Sequence, residues 1–266
     1  MTIKDWMKKN KLTKKEVEKD GIICVGEGLT SLEGCPKTLG GNLNCRENEL
    51  KNLEGAPQTV AGSVLLEKNK LESLIGGPKK VNGMYYWVSD NNLTDLTGLP
   101  KGFNGDVNVA NNQLTNLKGV HRILKNLSCE NNSISTLEGG PEKIRNDFNC
   151  MNNKLTSLVG GPKRVGYKYD ATGNPLKSLD GLPEIMDKMN IGLFLSYSHE
   201  LVDWILDNLE LVRSLNYDIR FENSPFEIED FDFTILIRGS KPKEKVEEIL
   251  LDNGYFNKEL REILMI

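Results

Sequence analysis

The sequence predicts a solenoid of eight short repeats. Parallel strands line its concave face, extended or 3₁₀ turns its convex side, a helical cap precedes it and a small α/β module follows. Three observations carry that reading: a leucine register repeated eight times, an asparagine two residues before almost every register position, and a Gly-Pro element on the return path.

Residues 1–20 read as the cap. Thr2 can accept from the first helical turn, Ile3, Trp6, Met7, Leu12 and Val17 are the candidate core contacts, and Thr13 can cap a second short helix after a break. A solenoid needs such an end piece because its terminal repeats otherwise expose the core.

Residues 21–189 hold the repeats. Leu29, Leu50, Leu71, Leu93, Leu114, Ile134, Leu155 and Leu176 follow one another at steps of 20 to 22 residues, each with a leucine three positions later. Two positions earlier stand Asn48, Asn69, Asn91, Asn112, Asn132, Asn153 and Asn174, with Glu27 alone breaking the series. Before each asparagine lies an alternating pair such as Leu43 and Cys45 or Val107 and Val109, the period of a strand with one buried face. Stacked copies would pair as parallel strands, and the asparagines would form a ladder bonding the bends. Seven of the ten prolines recur seven residues after the register leucine, so the short return path has no room for a long helix. The fifth repeat has His121 in place of that proline, which predicts a local distortion there.

The unit L-x-[C/L/V/A]-x-x-N-x-L-x-x-L resembles the leucine-rich-repeat family in order and spacing, over about residues 21–189. It is most similar to the short Asn- and Gly-Pro-containing repeats of large tailed bacteriophages and some bacteria. The resemblance implies a leucine-rich-repeat solenoid that binds another protein. It further implies a phage-encoded product working in the host-cell cytoplasm, where it inhibits or redirects a host factor such as a defence protein.

Residues 190–266 lose the register. Ile191 and Leu193 can add a ninth strand, Ser198 can cap a helix with Leu201, Ile205, Leu209 and Val212 on one face, 217–221 and 231–238 read as strands, and 241–254 and 257–266 as helices. This segment is large for a mere cap. An alternative reading therefore makes it the effector, an enzyme or an acidic nucleic-acid mimic, with the repeats as its targeting arm.

Charge is uneven. Residues 1–20 carry seven Lys against four acids, 21–189 nineteen basic against eighteen acidic side chains, and 190–266 eight basic against sixteen acidic. A near-neutral middle and an acidic tail argue against a binder of phosphate backbones, which needs a clustered basic stripe. No apolar run reaches a membrane span and the first residues lack a secretory apolar core, so the expectation is a cytoplasmic protein.

The chemistry-bearing residues have structural explanations. Cys24, Cys45, Cys129 and Cys150 share the inward position held elsewhere by Leu66, Val88, Val109 and Ala171, and no Cys-x-x-Cys occurs. Only His121 and His199 are present, without a nucleophile and orienting acid placed beside either. Secreted bacterial ubiquitin ligases share short repeats of this kind but use a cysteine in a large C-terminal domain, whereas the last cysteine here is Cys150. The acidic run holding Glu222, Glu227, Glu229, Asp230 and Asp232 reads as a solvated edge or loop. No enzyme, metal or cofactor is expected.

The outward strand positions are the candidate site. Leu65, Tyr85 and Trp87 would form an apolar-aromatic patch facing solvent, flanked by Arg46 and Glu67, with Asn44, Ser89 and Asn108 beside them. Tyr, Trp and Arg dominate interface energetics, so this strip of repeats two to four is the expected partner-binding face. Asn108, pointing outward, is expected to have no duty in the fold.

Overall fold

A computed structural model describes residues 1–186, 192–196, 198–214 and 219–222. The predicted strand 231–238, the helices 241–254 and 257–266, Ile191, and Glu227, Glu229, Asp230 and Asp232 of the acidic run lie outside the described residues.

Each repeat contributes one short strand to a single parallel sheet. Its members run in chain order: Gly21–Ile23, Asn42–Asn44, Val64–Leu65, Tyr85–Trp87, Asp106–Asn108, Asn126–Ser128, Phe148–Asn149 and Lys168–Asp170. The strands are only two or three residues long because one inward side chain, then a bend, is all that a repeat of this length allows. Ile22, Leu43, Val64, Tyr86, Val107, Leu127, Phe148 and Tyr169 point inward and are buried, as are the register leucines. No repeat encloses a core of its own; each closes on its neighbours, the arrangement of a leucine-rich-repeat solenoid.

The asparagine ladder is present in full from Asn48 to Asn174. Asn112 Nδ2, for example, donates at 3.1 Å to the carbonyls of Val109 and Ala110 in its own bend and of Val88 one repeat back. Its Oδ1 accepts from Leu93 N–H at 2.9 Å. One amide thus joins backbone groups of two repeats at the bend, where regular strand pairing stops. Glu27 breaks the series at the first repeat, where no earlier repeat needs the bonds, and pairs instead with Lys9 at 2.7 Å.

The residue before each ladder position adopts positive φ: Glu47, Lys68, Asp90, Asn111, Asn131 and Asn152 lie between 51° and 58°. Asn and Asp tolerate this left-handed region best among non-glycine residues, which accounts for the recurring Asn-Asn pair. The series ends at Gly173, φ 70°, where a Cβ would collide with Asn152 Oδ1.

Return paths are extended, with two-residue strands and tight turns and no 3₁₀ segment among the described residues. They pair into two small parallel sheets, one of Thr38–Leu39, Thr59–Val60 and Lys80–Val81, the other of Ile123–Leu124, Lys143–Ile144, Arg164–Val165 and Ile185–Met186. The gap falls at residues 101–105, one repeat before the distortion expected at His121. At His121 the path is regular: Ile123–Leu124 pairs with Lys143–Ile144, and His121 Nδ1 lies 3.1 Å from Ile123 O. At the gap, Phe103 packs edge-on against Tyr86, ring centroids 6.0 Å apart, and its N–H folds back to Pro100 O.

At the N-terminal end, helices α1 (Ile3–Lys9) and α2 (Lys14–Asp20) carry capping boxes, Thr2 with Asp5 and Thr13 with Glu16. Ile3, Trp6 and Val17 are buried against the first turns and Met7 packs beside them, whereas Leu12 sits on the exposed bend between the helices. At the other end, Gly192–Ser196 joins the long sheet beside Lys168–Asp170, and Ile219–Glu222 pairs with it in turn. The helices His199–Asp207 and Leu209–Ser214 make the crossover between these two parallel strands, Ser198 caps the first, and Leu201, Ile205 and Val212 are buried.

Candidate functional site

Strand register places the outward side chains in straight rows across the sheet. Ile23, Asn44, Leu65, Trp87, Asn108, Ser128, Asn149 and Asp170 are consecutive cross-strand partners. Neighbours in such a row are about 4.8 Å apart, so their side chains touch.

Most of the polar members of this row serve the fold. Asn108 Oδ1 accepts from Ala110 N–H at 3.0 Å, Asn149 from Met151 at 3.0 Å and Asp170 from Thr172 at 3.1 Å, each closing the bend two residues on. Asn108 therefore does have a structural duty, contrary to the expectation from sequence. The row one strand position earlier behaves alike: Asn42, Asn126 and Asp147 each accept, through a side-chain oxygen, an N–H of the next repeat. A short polar residue recurring at one offset was the available sequence signal for both sets of bonds.

Leu65, Tyr85 and Trp87 occupy these positions and can make no such bond. Tyr85 and Trp87 stack on one strand with ring centroids 4.7 Å apart and planes 48° apart, and Leu65 is the direct partner of Trp87. All three are half-buried rather than open to solvent, because the rings cover one another and the sheet. Ser89 and Asn44 are buried, and Asn44 Oδ1 is held by Arg46 Nε at 3.2 Å. Arg46 reaches toward Glu67, with a closest N···O distance of 3.9 Å. Glu67 Oε2 is buried without a partner, and burial pushes its carboxyl above the usual carboxylate range against the pull of Arg46. The N-terminal helices pack on the end of the solenoid, bonding at Gly28, Thr30, Glu33 and Gly40, away from this patch.

Elsewhere the reactive groups are muted. Burial pushes the Cys24 and Cys35 thiols up to about 12 and raises Cys45, Cys129 and Cys150 as well, so these sulfurs are protonated at neutral pH. Cys129 and Cys150 donate to backbone carbonyls, both at 3.3 Å. His121 is exposed with its ring on local backbone. A groove of about 570 Å³ runs between the return turns of the third and fourth repeats, lined by Ile75, Pro78, Leu99 and Pro100 with Lys79 and Lys101. No group of three or more His, Cys, Asp or Glu side chains suited to a metal ion occurs among the described residues. No helix among them is long and apolar enough to cross a membrane.

The buried leucine register, the side-chain ladder and the parallel strands define the class: the chain folds as a leucine-rich-repeat solenoid. Among solved structures it is similar to YopM from Yersinia enterocolitica, at 18% identity and a TM-score of 0.23, over 65% of this chain and 61% of that one. The match therefore spans under two thirds of that chain's length. No protein-family model and no curated protein matches the chain.

Proposed function

We propose that the protein is a non-enzymatic binding module that captures another protein on the outward face of its long sheet, the side expected to be concave. One observation carries this. At Leu65, Tyr85 and Trp87 the short polar residues used elsewhere to close the backbone are replaced by apolar and aromatic ones that leave part of their surface open. Folding alone gives no reason for that exchange, whereas a partner's apolar anchor does. Arg46, Glu67 and the edges of Asn44, Ser89 and Asn108 form the polar surround of the contact.

The likeness of the repeats to those of large tailed phages supports the finer reading, a phage-encoded protein that binds and inhibits or redirects a host protein, such as a defence factor, in the host cytoplasm. The rival reading, in which 190–266 is the effector, is supported by that segment's acidic charge and length. Purifying partners from the host with the full chain and with residues 1–190 separates the two. Retention of the same stoichiometric partner by the shorter chain supports the sheet face. Its loss, with the shorter chain still folded, overturns that reading in favour of the C-terminal segment.

A further inference from the structure

The solenoid is close to charge balance, yet its sheet face is not. Of the two cations in the outward rows beyond the first repeat, Lys168 is neutralised by Asp170 at 2.8 Å, leaving Arg46 with Glu67, Asp106, Glu130 and Asp147; Lys125 reaches in to Asp106 at 3.4 Å. The basic residues that balance the whole therefore lie mainly on the other surfaces.

Two of these carboxylates flank the aromatic pair. Asp106 is the direct cross-strand partner of Tyr85, and Glu67 sits diagonally across from Trp87, two residues beyond Leu65. Each has one oxygen, Glu67 Oε2 and Asp106 Oδ1, that is buried and makes no hydrogen bond; the other oxygen of Glu67 lies 3.9 Å from Arg46, and that of Asp106 accepts from Lys125 at 3.4 Å. A buried charged oxygen without a partner is costly, and Asn or Gln at either position would remove the charge. What both carboxylates lack is a donor to the second oxygen, which Arg46 and Lys125 leave without a bond, and a cationic donor entering beside the rings would supply it.

Resting on the binding face proposed above, we infer that the partner docks a basic side chain, arginine foremost, onto Tyr85 and Trp87 between Glu67 and Asp106. A guanidinium is planar, stacks on aromatic faces and presents paired donors to carboxylates. The negative face also steers a basic partner segment during approach, and this part weakens with salt.

The test is selection from a library of random linear peptides on the full chain, with counter-selection on Trp87→Ala. Trp87-dependent peptides should be enriched in Arg and Lys. Their affinity should fall at least about tenfold for Glu67→Gln/Asp106→Asn, a double variant whose melting temperature shows that it folds. Trp87-dependent peptides without basic residues, or unaffected by the double variant, would overturn the basic-anchor inference and leave the binding face standing. Failure to select any Trp87-dependent peptide would count against both.

Discussion

The side-chain amide of Asn153 donates at 3.0 Å to the carbonyl of Cys129, one repeat earlier in the chain. The same amide donates to Cys150 O and Met151 O, and its oxygen accepts from Ile134 N–H at 2.9 Å. One buried side chain thus bonds four backbone groups of two repeats; the three carbonyls each have a second donor in Asn132, Asn174 or Asn131, whereas Ile134 N–H relies on this amide oxygen. Asn153→Ala should lower stability by about 1–3 kcal/mol, the cost of stranding a buried polar group. Asn153→Asp should cost at least as much, since a carboxylate has no donor for the three carbonyls. Urea unfolding of the two variants checks both the size and the order.

Lys68 holds φ at 55° directly before the ladder, where later repeats place Asn. Its ion pair with Glu47, at 3.3 Å, is exposed and adds little. Lys68→Asn should therefore raise stability by about 0.5–1 kcal/mol, as a residue better suited to the left-handed region replaces one that is not. Thermal unfolding reads this as a higher melting temperature.

The outward row makes a sharper prediction. Asn is the residue that this row uses at Asn44, Asn108 and Asn149, so Leu65→Asn should keep stability within about 1 kcal/mol while removing an apolar contact from the face. Asn108→Ala should destabilise by about 1 kcal/mol through the lost bond to Ala110. Parallel chemical denaturation of the pair gives the comparison; a large loss for Leu65→Asn would make the patch part of the folding core.

The thiols give a pH signature. The usual thiol value is 9.0 and the folded Cys24 value about 12, so the folded state holds this proton more tightly than the unfolded state. The resulting stability is fully present below pH 9 and is lost as pH rises toward 12, where the unfolded thiol is ionised and the folded one is not. Cys35 adds in the same direction. Stability should thus fall through that window, less steeply in Cys24→Val. Cys45→Val/Cys150→Val should fold and bind as the unchanged chain does, because both are inward core positions.

Much of the solenoid was legible because repetition multiplies weak signals. One Asn before one Leu means little, whereas seven at the same offset identify a ladder, and the register of Leu65, Trp87 and Asn108 follows from it. Less legible were features set by local backbone geometry. The break at residues 101–105 depends on how Phe103 packs on Tyr86, while the absence of proline at His121 was a misleading cue. Of the candidate site, the neighbours Leu65, Tyr85 and Trp87 could be read directly. That Asn44 and Asn108 bond internally, and that Glu67 has an unpartnered oxygen, depends on side-chain directions that spacing does not specify.

The most direct test of the central claim is the affinity of Trp87→Ala for the purified partner, measured beside its melting temperature. Binding should weaken by about 2 kcal/mol or more while the melting temperature moves by only a few degrees, about the scale of a half-buried side chain. Unchanged affinity would contradict the account, as would collapse of the fold, which would make the aromatic pair a structural element rather than a binding surface.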